Sequence, residues 1–160
     1  MLPRSALPVY QRQRFPDPLL GEAFPQGETV FENDGVRLWT DGDGIGVVSF
    51  KTKMHTVSDA VLDGLQEAIG IAERKFAGLV LWQPKEPFSA GADLNWMKRA
   101  ITNDAHDNLH DAQAFALLMR TLNELSKPTI ARVHGPAFGG GVGLIAACAL
   151  ALATYDAPFP

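Results

Sequence analysis

The sequence predicts an α/β fold, and three observations carry that expectation. Strand-like and helix-like segments alternate along the chain. Residues 79–82 form a short continuous apolar run, the pattern of a strand buried on both faces. Residues 57–76 place Val57, Ala60, Val61, Leu65, Ala68, Ile69 and Ala72 at the three-and-four spacing of one helical face. With 160 residues, 46% of them hydrophobic, the chain suits one domain able to bury a real core.

The elements follow in order. Five of the eleven prolines (Pro3, Pro8, Pro16, Pro18, Pro25) stand before residue 27. Each fixes φ and removes an amide donor, so residues 1–26 read as an extended arm or linker and 27–160 as the domain. Arg4, Arg12 and Arg14 precede the first acid, Asp17, a trait of organelle transit peptides, but the prolines break any amphipathic helix there. Residues 29–32 and 36–40 flank Asn33-Asp34-Gly35, a hairpin signature, and 45–50 make a third strand. Ser58 with Asp59 caps the helix over 57–76, and Gly78 ends it. After the strand over 79–82 comes a loop with Pro84 and Pro87. A short helix follows from about Asp93, then a longer one over about 105–125. Residues 129–133 give a further strand, and Gly139-Gly140-Gly141 opens another helix within an apolar stretch, 142–153, of core character.

Charge and composition exclude whole classes. Fourteen Lys and Arg against eighteen Asp and Glu give a net charge of −4, without the basic footprint that nucleic acid requires. One Cys builds neither a disulfide framework nor a cysteine metal cage. The longest apolar run falls short of the roughly 20 residues that span a bilayer. A soluble, cytoplasmic protein is the expectation.

Two glycine-centred turns carry the candidate chemistry: Phe88-Ser89-Ala90-Gly91-Ala92-Asp93-Leu94 and Gly135-Pro136-Ala137-Phe138-Gly139-Gly140-Gly141. Each follows a buried strand and precedes a helix. Amides at such a junction have no intrahelical acceptor, and the helix dipole adds partial positive charge. Two turns side by side would aim two N–H groups at one oxygen, an oxyanion hole, where one donor contributes about 10²–10³ in rate. Either turn alone reads first as a tight turn. No GxGxxG frame, P-loop Lys or GxSxG elbow points elsewhere.

FSAGADL (88–94) followed by KPTIARVHGPAFGGGVGL (127–144) resembles the crotonase family of enoyl-CoA hydratases and isomerases. The resemblance covers the chain from about Thr29 onward. It implies a spiral of repeated ββα turns, here incomplete and preceded by the proline-rich arm. It also implies a coenzyme A thioester as substrate, with no cofactor beyond the coenzyme A carried by that substrate. The catalytic oxyanion amides fall by resemblance on Ala92 and Gly140. Lys53, Met54, Ser89, Ala90, Gly91, Asp93, Gly139, Gly141 and Gly143 fall in or beside the coenzyme A and acyl channel. The partner implied is an acyl-CoA in fatty-acid or branched-chain acyl-CoA degradation, with a homotrimer expected of full-length members and neither nucleic acid nor membrane. At finer grain, KMHTV and WQPKEPFSAGADL are similar to the hydratase portion of bifunctional 3-hydroxyacyl-CoA dehydrogenase/enoyl-CoA hydratase proteins, which would make the arm an inter-domain linker. NWMKRA and LNELSKPTIARVHG are similar to methylglutaconyl-CoA-type hydratases; a composite joined near Leu94 is the alternative to one continuous member.

The pattern departs where protons must move. Hydratases of this family use two glutamates as acid and base. The first would stand at Gly143, and the second would follow a Phe-x-x-Pro-Glu segment just past Ala157-Pro158-Phe159-Pro160. Cys148 is followed by Ala149 where the family has an acid. The expectation is therefore apparent C-terminal truncation and weak hydration at best, with a non-catalytic coenzyme A-binding or assembly module as the alternative. Isomerisation, decarboxylation and thioester hydrolysis use the same hole. Asp93 reads as a helix cap, and Glu86 and Asp156 as solvent-facing. His106 and His110, four apart, lack the third ligand a zinc site needs. No metal is expected. His55 and His134 read as structural, Cys148 as a small buried residue, Trp82 and Trp96 as core or channel wall, and Phe115, Leu118 and Leu122 as a core stripe.

Overall fold

A computed structural model of the chain describes residues 27–102 and 105–153, apart from the side chains of residues 105–108 and 110. The expected arm (1–26), Asp156, the closing Ala157–Pro160 tetrapeptide and the side chains of His106 and His110 lie outside the described residues.

One six-stranded sheet organises the chain: β1 (Glu28–Glu32), β2 (Val36–Thr40), β3 (Ile45–Phe50), β4 (Gly78–Trp82), β5 (Thr129–Val133) and β6 (Leu150–Ala153), in that spatial order. The first three strands pair antiparallel and the last three add in parallel, each at the growing edge. Parallel neighbours need crossovers. These are α1 (Asp59–Lys75), then α2 (Leu94–Thr102) with α3 (Ala105–Asn123), then α4 (Gly140–Ala147). The alternation expected from the sequence is therefore present.

The β1–β2 hairpin is tied by Asn33, whose Oδ1 accepts from the Gly35 and Val36 amides, both at 2.8 Å, while its Nδ2 donates to Ala60 O at 2.8 Å. Beyond the hairpin, period two decides which side chains face the helices. Val36, Leu38, Val48, Phe50, Leu79, Leu81, Ala131 and Val133 share one buried cluster with Val61, Leu65, Ala68, Ile69 and Ala72 of α1, Leu118 and Leu122 of α3, and Leu144 of α4. On the opposite face Trp39 and Trp82 meet edge to face at 5.9 Å, with Val47 and Val80 beside them. Both faces of β4 are thus covered, as its apolar run predicts.

Three boundaries differ from the sequence reading. Ser58 caps α1 by accepting from the Val61 amide, but the helix ends at Lys75 with an extended Phe76, and Gly78 is already the first residue of β4. The long helix stops at Asn123. The stretch 142–153 is not one core element: Cys148 turns extended (φ −76°, ψ 151°), and the next amide, Ala149 N, donates to Thr129 Oγ1 at 2.8 Å, steering the chain into β6. All of β6 is exposed. An unbroken Ala/Leu run carries no periodicity to announce that break.

Helix α2 differs from the others in burying no side chain. Its hold is polar. Arg99 forks onto both Asp59 carboxylate oxygens (3.0 and 2.9 Å) and reaches Asp111 Oδ2 at 3.1 Å, and Trp96 Nε1 donates to Asp59 Oδ1 at 2.6 Å.

Candidate functional site

Because β4 and β5 pair in parallel from Leu79↔Thr129 to Trp82↔Arg132, the segments following them leave the same edge of the sheet. There the two glycine turns are stitched together. Phe88 N donates to Pro136 O and Phe138 N to Ser89 O, both at 2.9 Å, and Ser89 bridges Ala137. The closest approach falls on glycines. A Cβ on Gly91 (φ +84°) would stand 2.8 Å from the Phe138 carbonyl oxygen and 3.6 Å from the Gly140 nitrogen. One on Gly141 would press to 2.7 Å from the Ser89 Cβ. Glycine supplies both the left-handed φ and the clearance.

The segment after β3 closes the other side of the first turn. Ala90 N donates to Met54 O at 3.1 Å, Val57 N to Gly91 O at 2.7 Å, and Asp93 N to Val57 O at 3.0 Å. The Ala92 amide is left out of this ladder and has no acceptor among the described residues. In a planar trans peptide the Gly91 C=O and the Ala92 N–H point in opposite directions. With Gly91 O held by Val57, the Ala92 N–H faces away from Val57. At the second turn, Gly141, Val142 and Gly143 donate to the Phe138 and Gly139 carbonyls, whereas the Gly140 amide, first of α4, has no acceptor among the described residues. Ala92 itself precedes the cap of α2 instead of standing inside that helix: Asp93 Oδ1 accepts from Trp96 N at 2.8 Å, the capping role read from the sequence.

Beside these turns lies a cleft of about 520 Å³, walled by Lys53, Met54 and Thr56 after β3, by Ala90, Ala92 and Asp93 in the first turn, and by Leu94, Asn95 and Met97 of α2. Five of the residues singled out by sequence (Lys53, Met54, Ala90, Ala92 and Asp93) meet there. Ser89 stands behind the wall, fully buried, its Oγ donating to His55 O (2.7 Å) and accepting from Gly91 N (3.1 Å). Gly91, Gly139 and Gly141 form the seam between the turns and not the lining of this cleft. Thr56, Asn95 and Met97 carry no local signal and were not anticipated.

Gly140 and Gly143 are not among the residues lining this cleft either; they face an aromatic ring. The Phe115 ring stands 3.4 Å from where a Cβ of Gly140 would sit and 3.3 Å from that of Gly143, with Met119 Sδ 3.7 Å from the latter. Trp96 packs edge-on against Phe115 at 6.4 Å. Leu118 and Leu122 are core, as the helical stripe predicts, while Phe115 is only half-buried and faces the second turn.

Titratable groups lie around the site and not within the amide pair. The Arg99 guanidinium bonded to Asp59 holds that carboxyl below its usual range, against partial burial. Burial pushes the Cys148 thiol up to about 12; it stands at the end of α4 and donates to Leu144 O. His55 is buried with Nδ1 2.6 Å from Pro87 O, and Glu86 is exposed. No helix among the described residues is long and apolar enough to cross a membrane.

Comparison with known proteins places the chain. The chain is 31% identical over 112 residues to the fatty acid oxidation complex subunit alpha of Vibrio cholerae, covering 65% of this chain and 15% of that one. It is 30% identical over 122 residues to 4-chlorobenzoyl coenzyme A dehalogenase-2 of an Arthrobacter species, covering 73% and 44%. Its fold matches the crystal structure of an enoyl-CoA hydratase from Shewanella pealeana with a TM-score of 0.71 at 32% identity, over 76% of this chain and 47% of that chain. The chain thus spans less than half the length of these relatives. The fold class is crotonase-like, as the two glycine motifs imply. Residues 40–160 match the enoyl-CoA hydratase/isomerase family, and the chain belongs to it.

Proposed function

We propose that the chain binds an acyl-CoA thioester in the cleft beside α2 and polarises its carbonyl with the Ala92 and Gly140 amides. The observation that carries this reading is the pair of amides without acceptors among the described residues, on two turns joined by the Phe138 N–Ser89 O and Phe88 N–Pro136 O hydrogen bonds. Loss of an α-proton, or addition of water to a conjugated alkene, puts negative charge on the thioester oxygen, and two fixed N–H groups stabilise that enolate. Gly140 adds the positive end of α4. Lys53 and Met54 would hold the coenzyme A portion at the cleft mouth, with no cofactor other than the coenzyme A of the substrate. Fatty-acid or branched-chain acyl-CoA degradation in the cytoplasm is the setting this reading proposes, with trimers in the full-length protein.

The test is incubation of the purified chain with crotonyl-CoA and a panel of acyl-CoA esters, with products identified by mass spectrometry. Turnover above the uncatalysed rate, sharply lowered in Ala92→Pro, is the expected result. Binding of coenzyme A esters without product across the panel would instead favour a second reading, a non-catalytic coenzyme A-binding or assembly module. The packing of Gly143 against Phe115, where hydratases of the family carry a carboxylate, supports that alternative.

A further inference from the structure

We propose that His55 is the positioning residue of the thioester-polarising turn, setting the orientation of the Ala92 peptide from outside the cleft. The inference rests on the functional reading above for its consequence, and on the hydrogen bonds for its mechanism. Met54 and His55 both adopt left-handed backbone, at φ 54° and 52°. Two successive non-glycine residues in that region are uncommon, though His is among the types that enter it more readily. Strain of this kind persists where surrounding contacts over-determine it. Here the left-handed pair separates two tasks: Met54 stays exposed in the cleft wall, while His55 is buried behind it.

From that position a single residue grips the turn twice. His55 Nδ1 lies 2.6 Å from Pro87 O, and a carbonyl only accepts, so Nδ1 carries the proton. The carbonyl of His55 accepts from Ser89 Oγ at 2.7 Å, and that same hydroxyl accepts from Gly91 N at 3.1 Å. The line of contact runs from His55 through Pro87 and Ser89 to the Gly91 amide, one peptide before Ala92. The Met54 carbonyl adds a third tie by accepting from Ala90 N. Met54 and Ala90 stand in the cleft wall, but His55 itself, Pro87 and Ser89 do not line the cleft. His55 therefore acts through the turn and not on the substrate.

An Asn side chain places its Nδ2 donor as far from Cβ as His places Nδ1, and it tolerates left-handed backbone. His55→Asn should keep the grip, and His55→Leu should lose the side-chain half of it. Ser89→Ala removes the other half and is the second arm should the Leu variant fail to fold. Two readouts on the full chain separate the claims. Hydrogen exchange at the Ala90 and Gly91 amides of the free protein reports the turn. The infrared carbonyl stretch of bound crotonyl-CoA, isotopically labelled at the thioester carbon, reports polarisation. In His55→Leu and in Ser89→Ala, exchange at Gly91 rises about five- to ten-fold, the factor for one ordinary hydrogen bond lost, and the carbonyl shift shrinks. His55→Asn matches the parent in both. Unchanged exchange in His55→Leu, or an Asn variant as loose as the Leu one, overturns the proposal. Should exchange respond as expected while even the parent leaves the carbonyl unshifted, the grip of His55 on the turn stands and the thioester reading falls.

Discussion

Two walls meet at the candidate site, and they are built from different materials. One consists of backbone: the amides of Ala92 and Gly140, which have no acceptor among the described residues. The other, across Gly140 and Gly143, is the outer end of the Phe115 ring, with Met119 and Trp96 beside it. Backbone donors need only the right path of the chain, so the first wall is complete whatever side chains surround it. A proton carrier must be a side chain, and the second wall offers an apolar ring where one would project. Polarising a carbonyl and moving a proton are separable tasks, and on the reading proposed above the two turns of this chain serve the first.

The largest expected effect breaks the backbone wall. Ala92→Pro deletes one donor and should lower any acyl-CoA turnover by about 10²–10³, measured against the parent at saturating substrate. A variant as active as the parent would remove Ala92 from the site.

The next effect tests whether the apolar wall is as full as it looks. Gly143→Glu must displace a ring that an ordinary Cβ would already approach to 3.3 Å, and should cost about 1–3 kcal/mol in urea unfolding. In Gly143→Glu combined with Phe115→Ala the two costs should fail to add by about 0.5–3 kcal/mol, because the deleted ring makes the room. Strict additivity would mean that residue 143 has space of its own and that the contrast between the walls is overdrawn.

A smaller effect concerns the outer side of the cleft, where α2 has no fully buried side chain and Arg99 ties it to Asp59. Arg99 depresses the Asp59 pKa in the folded chain, so the pair stabilises above the unfolded carboxyl value of about 3.9 and that contribution fades as pH falls through the lower, folded one. Acid unfolding of Arg99→Leu should lack this part of the pH dependence, and in the parent added salt should weaken it, since the pair is largely exposed. Identical acid profiles for the two proteins would show that α2 is held by something else. The smallest effect is at the far end of α4. With its thiol pushed up to about 12, Cys148 should react negligibly with a disulfide reagent at pH 8 until the chain is unfolded.

Much of this was legible before any coordinates. The face of α1, the Ser58 cap, the Asp93 cap, the Asn33 turn and the buried run of β4 each depend on residues within a turn or two of one another. Local spacing and side-chain chemistry report such features directly. The break at Cys148 was not legible, because the run 142–153 is apolar throughout and the deciding partner, Thr129, lies in another strand. Nor was the Arg99–Asp59 fork, which joins residues forty positions apart, or the turn of Phe115 toward Gly143. Both sides of such contacts look like ordinary surface or ordinary core when read along the chain.

By itself the sequence determined the alternation of strands and helices, the two glycine turns and the absence of a carboxylate at residue 143. These are properties of residue type and short-range order. Only the tertiary structure decided that the turns touch, that the amides of Ala92 and Gly140 are among those left without an acceptor in the described residues, and that His55 sits behind the first turn. Which amide remains unpaired depends on every hydrogen bond its neighbours make. Those neighbours are brought together only when parallel strands pair across the crossovers.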